Sequence, residues 1–216
     1  MISKRRDIPS FTRDVYGKIA TAILNRCNLN ETIDILVDEI QNLLDGNVPI
    51  EDLTISKKLL NNYMNSNPMK LFSDRLKNEG ENINPGDIVN YVVVRDATAI
   101  LFGQKLRLVD RYIENEMKPS REYIDYRYYI THLQRPIDNL FKNGFEDEVD
   151  KLSHIAFKLK TSYKPIFLDE PIKIITKLLH YGIKLSKFKE IVRDVISKSY
   201  DGTPVEIIIS KLAKQG

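Results

Sequence analysis

The chain has 216 residues, 42% of them hydrophobic, with nine glycines and nine prolines, which excludes wholesale disorder and fibrous repeats. At about 150 residues per domain this is one core, with room for an extension. The formal net charge is only +3, too little to announce a nucleic-acid partner by bulk charge, so any basic surface must be local.

No apolar run approaches the roughly 18 residues of a membrane span, and Met1 to Asp7 is basic without the apolar core of a secretory signal. An intracellular chain with no membrane partner is expected. Two helices come first. Ser10 can cap one on which Phe11, Val15, Ile19, Ala22 and Ile23 share a face. Asn30 can cap another carrying Ile33, Leu36, Val37, Ile40, Leu43 and Leu44, with Gly46 as its stop. Leu53 and Ile55 alternate with Thr54 and Ser56 as a short strand. Asn67-Pro68 opens a helix with Leu71, Phe72 and Leu76 inward and Gly80 at its end. Asn84-Pro85-Gly86-Asp87 is a turn, and the β-branched run Ile88 to Val94 is a strand. One or two further strands are expected around Gly103.

Asp125 caps a helix bearing Tyr126, Tyr128, Tyr129 and Leu133, which kinks or restarts at Pro136. Beyond residue 144 all is expected to be helical. Val149, Leu152, Ile155, Ala156 and Leu159 make one stripe; Ile175, Leu178 and Leu179 follow Pro171; Phe188, Ile191, Val192, Val195 and Ile196 make another. Thr203-Pro204-Val205-Glu206 is a capping box before a last helix reaching Leu212. The fold class is therefore mostly α with a small central β element, an α+β chain.

Chemistry is sparse. One cysteine, Cys27, excludes an intrachain disulfide and a thiolate zinc site, and His132, His154 and His180 lie too far apart for a helical metal pair. No phosphate-cradling glycine loop and no nucleophile elbow is present. The acidic cluster Glu146-Asp147-Glu148-Asp150 is explained by complementarity to a helix N-terminus without invoking a metal. What remains is basic and aromatic: Lys4-Arg5-Arg6, Lys57-Lys58, then Lys70, Arg75 and Lys77, then Arg121, Arg127 and Arg135 around the tyrosine-rich helix. Each alone suits a solvated face. Together they suit sequence-independent contact with a nucleic-acid backbone, where Lys and Arg displace counterions.

The order of segments is more specific than any one of them. Arg5-Arg6-Asp7, followed after two helices by Asp52-Leu53-Thr54-Ile55-Ser56-Lys57-Lys58-Leu59, resembles the "R-R-D" and "D-L-x-I-T-K-x-L" segments of the C-terminal thumb region of family B DNA polymerases. Phe72-Ser73-Asp74-Arg75-Leu76-Lys77-Asn78-Glu79-Gly80 resembles the family's "L-A-x-R-L-K-x-R-G". Asn84 to Val93 is similar to "x-P-G-D-R-V-P-Y-V-I". Ile124 to Ile137 resembles "I-D-x-x-Y-Y-I-x-x-Q-I-x-x-P-I". The resemblance spans about residues 4 to 142. Ile88 and Asn90 replace the family's Arg and Pro, the stretch from Arg95 to Arg121 matches poorly, and the cysteine-rich motifs of cellular replicative members are missing.

The resemblance implies a thumb-like domain over 1–143 and a helical C-terminal extension over 144–216, with a boundary that one continuous unit would erase. It implies a role in DNA replication: gripping the primer–template duplex through backbone and minor-groove contacts. The candidate DNA-binding residues are Arg5, Arg6, Lys57, Lys58, Arg75, Lys77 and Arg127. The family's palm aspartates and finger segment are absent, so the implied chain is not catalytic alone. It needs a palm-bearing partner, which would hold the magnesium ions, and no cofactor is assigned to this chain. Residues 144–216 are compatible with docking a processivity factor, as in viral or divergent members, and the implied location is wherever DNA is replicated. The rival reading is a helical protein-interaction module with no DNA binding, its docking face drawn from the apolar stripes beyond residue 144. A small independent enzyme has no supporting constellation.

Overall fold

A computed structural model describes residues 7–62, 67–95, 100–102, 105–107, 112–114, 121–145, 170–196 and 212–214. Its contacts divide the chain into two compact units, one of Met1–Arg13 with Gly46–Tyr128, the other of Asp14–Asp45 with Tyr129–Gly216.

The first unit carries the β structure. A helical turn, Ile50–Leu53 (here α3, after α1 and α2 below), leads into β1, Ile55–Lys58. Leu53 thus ends a helical turn rather than starting the strand, because Pro49 precedes it and Glu51 and Asp52 occupy the first turn, where acids complement the helix dipole. Ser10 ties the entering chain to this turn, its hydroxyl donating to Asp52 Oδ1 at 2.8 Å. Helix α4, Pro68–Asn78, starts as expected: the Asn67 side chain accepts from the Met69 amide at 2.9 Å and Pro68 opens the helix. Phe72 and Leu76 are buried, but Leu71 is exposed and Met69 takes the inward position instead. That choice keeps Met69, Phe72 and Leu76 at i, i+3 and i+7 on one stripe.

The turn before β2, Ile88–Val93, has Pro85 second and Gly86 third, with φ of +101° at the glycine, the pattern a type II turn requires. The Asp87 amide closes it on the Asn84 carbonyl at 3.1 Å, and Asp87 Oδ2 accepts from the Asn84 amide at 2.8 Å. β2 is the middle of a three-stranded antiparallel sheet, pairing Ile55 with Tyr91 on one side and Val92 with Ile113 of β5, Tyr112–Glu114, on the other. β3, Ile100–Phe102, and β4, Lys105–Arg107, form the separate ribbon expected around residue 103. β5 lies beyond the strands expected around Gly103. Phe72 meets Tyr91 ring to ring at 5.7 Å, which fixes α4 against the buried face of the sheet.

The second unit is helical. α1, Ser10–Leu24, contributes buried Val15, Ile19 and Ala22 from its part of the chain, with Ile23 half-buried. α2, Leu29–Leu44, starts two residues earlier than expected. Asn28, not Asn30, is the cap: its Oδ1 accepts from the Glu31 amide at 2.9 Å and Glu31 Oε2 accepts from the Asn28 amide at 3.0 Å. The reciprocal pair needs an acid three residues on, which Asn28 has and Asn30 lacks. α5, Tyr126–Gly144, runs on through Pro136 without restarting, holding Tyr129, Ile130, Leu133, Ile137 and Phe141 in this unit's core. Gly144 allows α5 to approach α1 closely; a Cβ there would fall 2.8 Å from two carbons of Ile23.

α6, Pro171–His180, and α7, Ser186–Ile196, complete the unit. Glu170 makes no side-chain cap; Asp138 of α5 accepts instead from the Ile172 amide at 3.3 Å. Lys189 of α7 pairs with Asp38 at 2.8 Å and Asp34 at 3.5 Å on α2, and Arg193 reaches Asp34 at 3.6 Å. Ile172, Ile175, Leu178, Phe188, Ile191 and Val192 are buried. The apolar stripes of 171–192 are therefore core of this unit, packed with segments from the first third of the chain. The expected stripe 149–159 and the last capping box lie outside the described residues. Leu212 is helical.

Candidate nucleic-acid interface

Arg5 and Arg6 lie outside the described residues. Lys57, Lys58, Arg75, Lys77 and Arg127 all fall in the first unit. Their settings differ, and the pleat of β1 explains the first difference. Successive side chains of a strand point to opposite faces. Ile55 and Lys57 stand opposite Tyr91 and Val89 on the face that carries the buried residues, whereas Ser56 and Lys58 stand opposite Asn90 and Ile88. This second face is polar toward solvent at that end: Ser56 Oγ lies 2.7 Å from Asn90 Oδ1, and Ile88 is exposed. Both lysines are exposed, but they serve different sides of the sheet. Lys57 prolongs the buried face at its rim; Lys58 sits on the open one.

Lys58 and Lys77 both border the Asn84–Asp87 turn. A Cβ on Gly86 would be 4.0 Å from Lys58 Cε. Lys77 lines a cleft of about 100 Å³ with Leu59, Asn61, Lys70, Ser73, Asp74 and Pro85. The turn is held over the end of β1 by Leu59, whose carbonyl accepts from the Gly86 amide at 2.9 Å and whose amide donates to the Asp87 carbonyl at 2.8 Å. The turn thus carries Pro85 to the α4 side of the strand end. Lys70 and Asp74 form an i,i+4 ion pair at 2.8 Å on the cleft wall. Lys57 and Lys77 make no ion pair among the described residues, which leaves their ammonium groups able to meet an anion.

Arg75 is placed differently. Its guanidinium carbon lies 5.1 Å from the centroid of the buried Phe72 ring, three residues back on α4, and the side chain is half-buried. The charge is braced against the α4–β2 contact by a cation–π interaction. Arg127, the second residue of α5, is exposed. That helix start is set by Asp125, whose Oδ1 accepts from the Tyr128 amide at 3.1 Å. Nearby, Tyr126 donates its hydroxyl to the Arg121 carbonyl at 3.1 Å, and burial pushes its phenol above the ordinary range, opposed by the positive charges of Arg121 and Arg95.

Asn61, Lys70 and Ser73 were not singled out as site residues, though Lys70, Ser73 and Lys77 recur at i, i+3 and i+7 and so share a helix face. The arrangement offers exposed cations, a hydroxyl and an amide around a small sheet and one helix. Those groups suit phosphate oxygens and carry no base-reading geometry. Among the described residues no group of three His, Cys, Asp or Glu side chains could hold a metal ion, and no helix is long and apolar enough to cross a membrane.

Comparison with known proteins gives this basic unit a context. The family model "DNA polymerase family B" matches residues 2–144. A DNA polymerase of Pyramimonas orientalis virus is 28% identical over 184 residues, covering 82% of this chain and 14% of the relative. A DNA polymerase of Thermococcus aggregans is 26% identical over 136 residues, 61% of this chain and 7% of the relative. Among solved structures, the family B DNA polymerase of Pyrobaculum calidifontis aligns over 62% of this chain and 17% of its own, with 19% identity and a TM-score of 0.46. The chain thus spans a small fraction of the relatives it matches. With the family match extending over residues 2–144, the chain belongs to the family B DNA polymerases.

Proposed function

We propose that this chain is the thumb portion of a family B DNA polymerase, gripping the primer–template duplex without reading its sequence. Family membership over 2–144 supports it, together with the five thumb-like segments that follow one another in order within that span. The observation that carries it is the setting of Lys57, Lys58 and Lys77: all are exposed, at the end of β1 and on the neighbouring face of α4, where phosphates can approach. Arg127 adds an exposed cation at the start of α5. Arg75 contributes from a braced, half-buried position, and Arg5 and Arg6 complete the set near the chain's start.

On this reading the two-metal chemistry of nucleotide transfer belongs to a palm-bearing chain, and this chain supplies only the hold on the duplex. The chain works at sites of DNA replication. The rival, a docking module without DNA binding, needs an exposed apolar face; most of the apolar residues of 171–192 are buried, and the 149–159 stripe lies outside the described residues.

Lys57→Ala combined with Lys58→Ala tests the proposal. Binding to primer–template duplexes of several unrelated sequences should weaken equally for all of them, as loss of phosphate contacts requires. A loss confined to one sequence, or none at all, would overturn it.

A further inference from the structure

A second basic surface lies in the helical unit, in a part of the chain that the family match leaves out. α6 buries Ile172, Ile174, Ile175 and Leu178 on one side. Its other side carries Lys173 and Lys177, one turn apart, and the helix ends at His180 with Tyr181 as its cap. Tyr181 is 50% exposed. Its ring meets the neighbouring His180 ring near a right angle, the centroids 5.2 Å apart and the planes at 71°. Gly182, at φ +69°, turns the chain away, and a Cβ there would meet nothing within 4 Å.

The charged residues next to Tyr181 in the chain are lysines, Lys177 and Lys184. Lys177 stands four residues before Tyr181, on the same helix face. Lys184 is exposed in the connection to α7 and makes no ion pair among the described residues. Glu170 pairs with Lys173 at 2.8 Å, and Glu190 pairs with Lys187. Burial lowers the Lys177 pKa, and the neighbouring Lys173 charge lowers it further.

We propose that this surface binds a single strand of nucleic acid, one base stacking on Tyr181 and the adjoining phosphates lying against Lys177 and Lys184. An exposed ring flanked by cations is the combination that single strands use, since every unpaired base offers a π-face and every linkage a charge. A duplex hides its base faces, and a peptide acid needs no ring. The site is independent of the duplex grip, being built from other residues in the other compact unit.

The test uses the full chain and an unstructured oligothymidylate, with heparin as a polyanion that has no bases. The chain contains no tryptophan, so Tyr181→Trp installs a single reporter. Its fluorescence should be quenched by the oligothymidylate and not by heparin. Tyr181→Leu should weaken oligothymidylate binding about tenfold, as loss of one stacked base does, while Tyr181→Phe binds as the parent does. Lys177→Gln with Lys184→Gln should reduce the salt slope by about 1.4, two phosphate contacts at about 0.7 each. Duplex binding through Lys57, Lys58 and Lys77 should be unchanged in the Tyr181 variants, which separates this site from the grip. Equal quenching by heparin, or unchanged oligothymidylate affinity in Tyr181→Leu, would overturn the proposal.

Discussion

Arg75 and Lys77 are two residues apart on α4, and the structure assigns them different work. In Arg75→Ala the guanidinium over Phe72 is lost, together with the rest of a half-buried side chain. At 5.1 Å from the ring centroid, a half-buried cation–π contact is worth about 0.5–1 kcal/mol, and burial of one stem methylene adds about 0.8 kcal/mol. The sum is about 1.5 kcal/mol, which at a urea m-value near 2 kcal/mol/M lowers the midpoint by about 0.7 M. Lys77→Ala removes an exposed side chain with no ion pair among the described residues and should cost less than about 0.5 kcal/mol. Urea unfolding followed by circular dichroism measures both, and duplex affinity measured in parallel should fall in both. Repeating Arg75→Ala in a Phe72→Leu background isolates the ring contact, with an expected coupling of about 0.5–1 kcal/mol. An unchanged midpoint in Arg75→Ala, or full additivity with Phe72→Leu, would refute this division of labour.

Three further outcomes follow from local geometry. Gly144→Ala should cost about 1–3 kcal/mol, because the new methyl falls 2.8 Å from Ile23 carbons; in an Ile23→Ala background the cost should vanish, and calorimetry of the four proteins decides. Asn28→Ala opens the reciprocal cap of α2 and should lose about 1 kcal/mol in the same unfolding assay; an unchanged midpoint would deny the cap its role. Tyr126 ionises later in the folded chain than in the unfolded one, because burial raises its pKa. Its contribution to stability is therefore complete below about pH 10, the unfolded value, and is lost as pH rises through the folded value. Tyr126→Phe should flatten that alkaline loss in thermal melts, and an unaltered pH profile would contradict the assignment.

The elements legible in the sequence are those whose signals are local. Asn67-Pro68 opens α4, Asn84-Pro85-Gly86-Asp87 turns the chain, and Ile88–Val93 is a strand because each carries its own backbone chemistry. Where two local readings competed, a partner residue decided. Glu31 selected Asn28 over Asn30 as the cap, and Pro49 with Glu51 and Asp52 drew Leu53 into a helical turn. β5 joins β2 through a non-local pairing, and α7 meets α2 through Lys189 and Asp38, 151 residues apart. No window along the chain contains either pairing.

The candidate interface divides in the same way. The basic residues themselves were visible. That Lys57 and Lys58 face opposite sides of a sheet follows from strand alternation once β1 is placed, and the stacking of Arg75 on Phe72 follows from their i,i+3 spacing. The cleft shared by Asn61, Ser73 and Lys77 depends on how the turn at Pro85 lies beside α4. Tyr181 gave no signal at all in the sequence, because a tyrosine at a helix end is as often core as surface until its exposure is known.

The most direct test of the account is the salt dependence of duplex binding by the chain and by its Lys57→Ala/Lys58→Ala/Lys77→Ala variant. If the three lysines hold phosphates, log K falls linearly with log salt for the parent, and the variant's slope is shallower by about 2.7, at about 0.9 per contact. Identical slopes, or no binding by the parent at the lowest salt, would contradict the account.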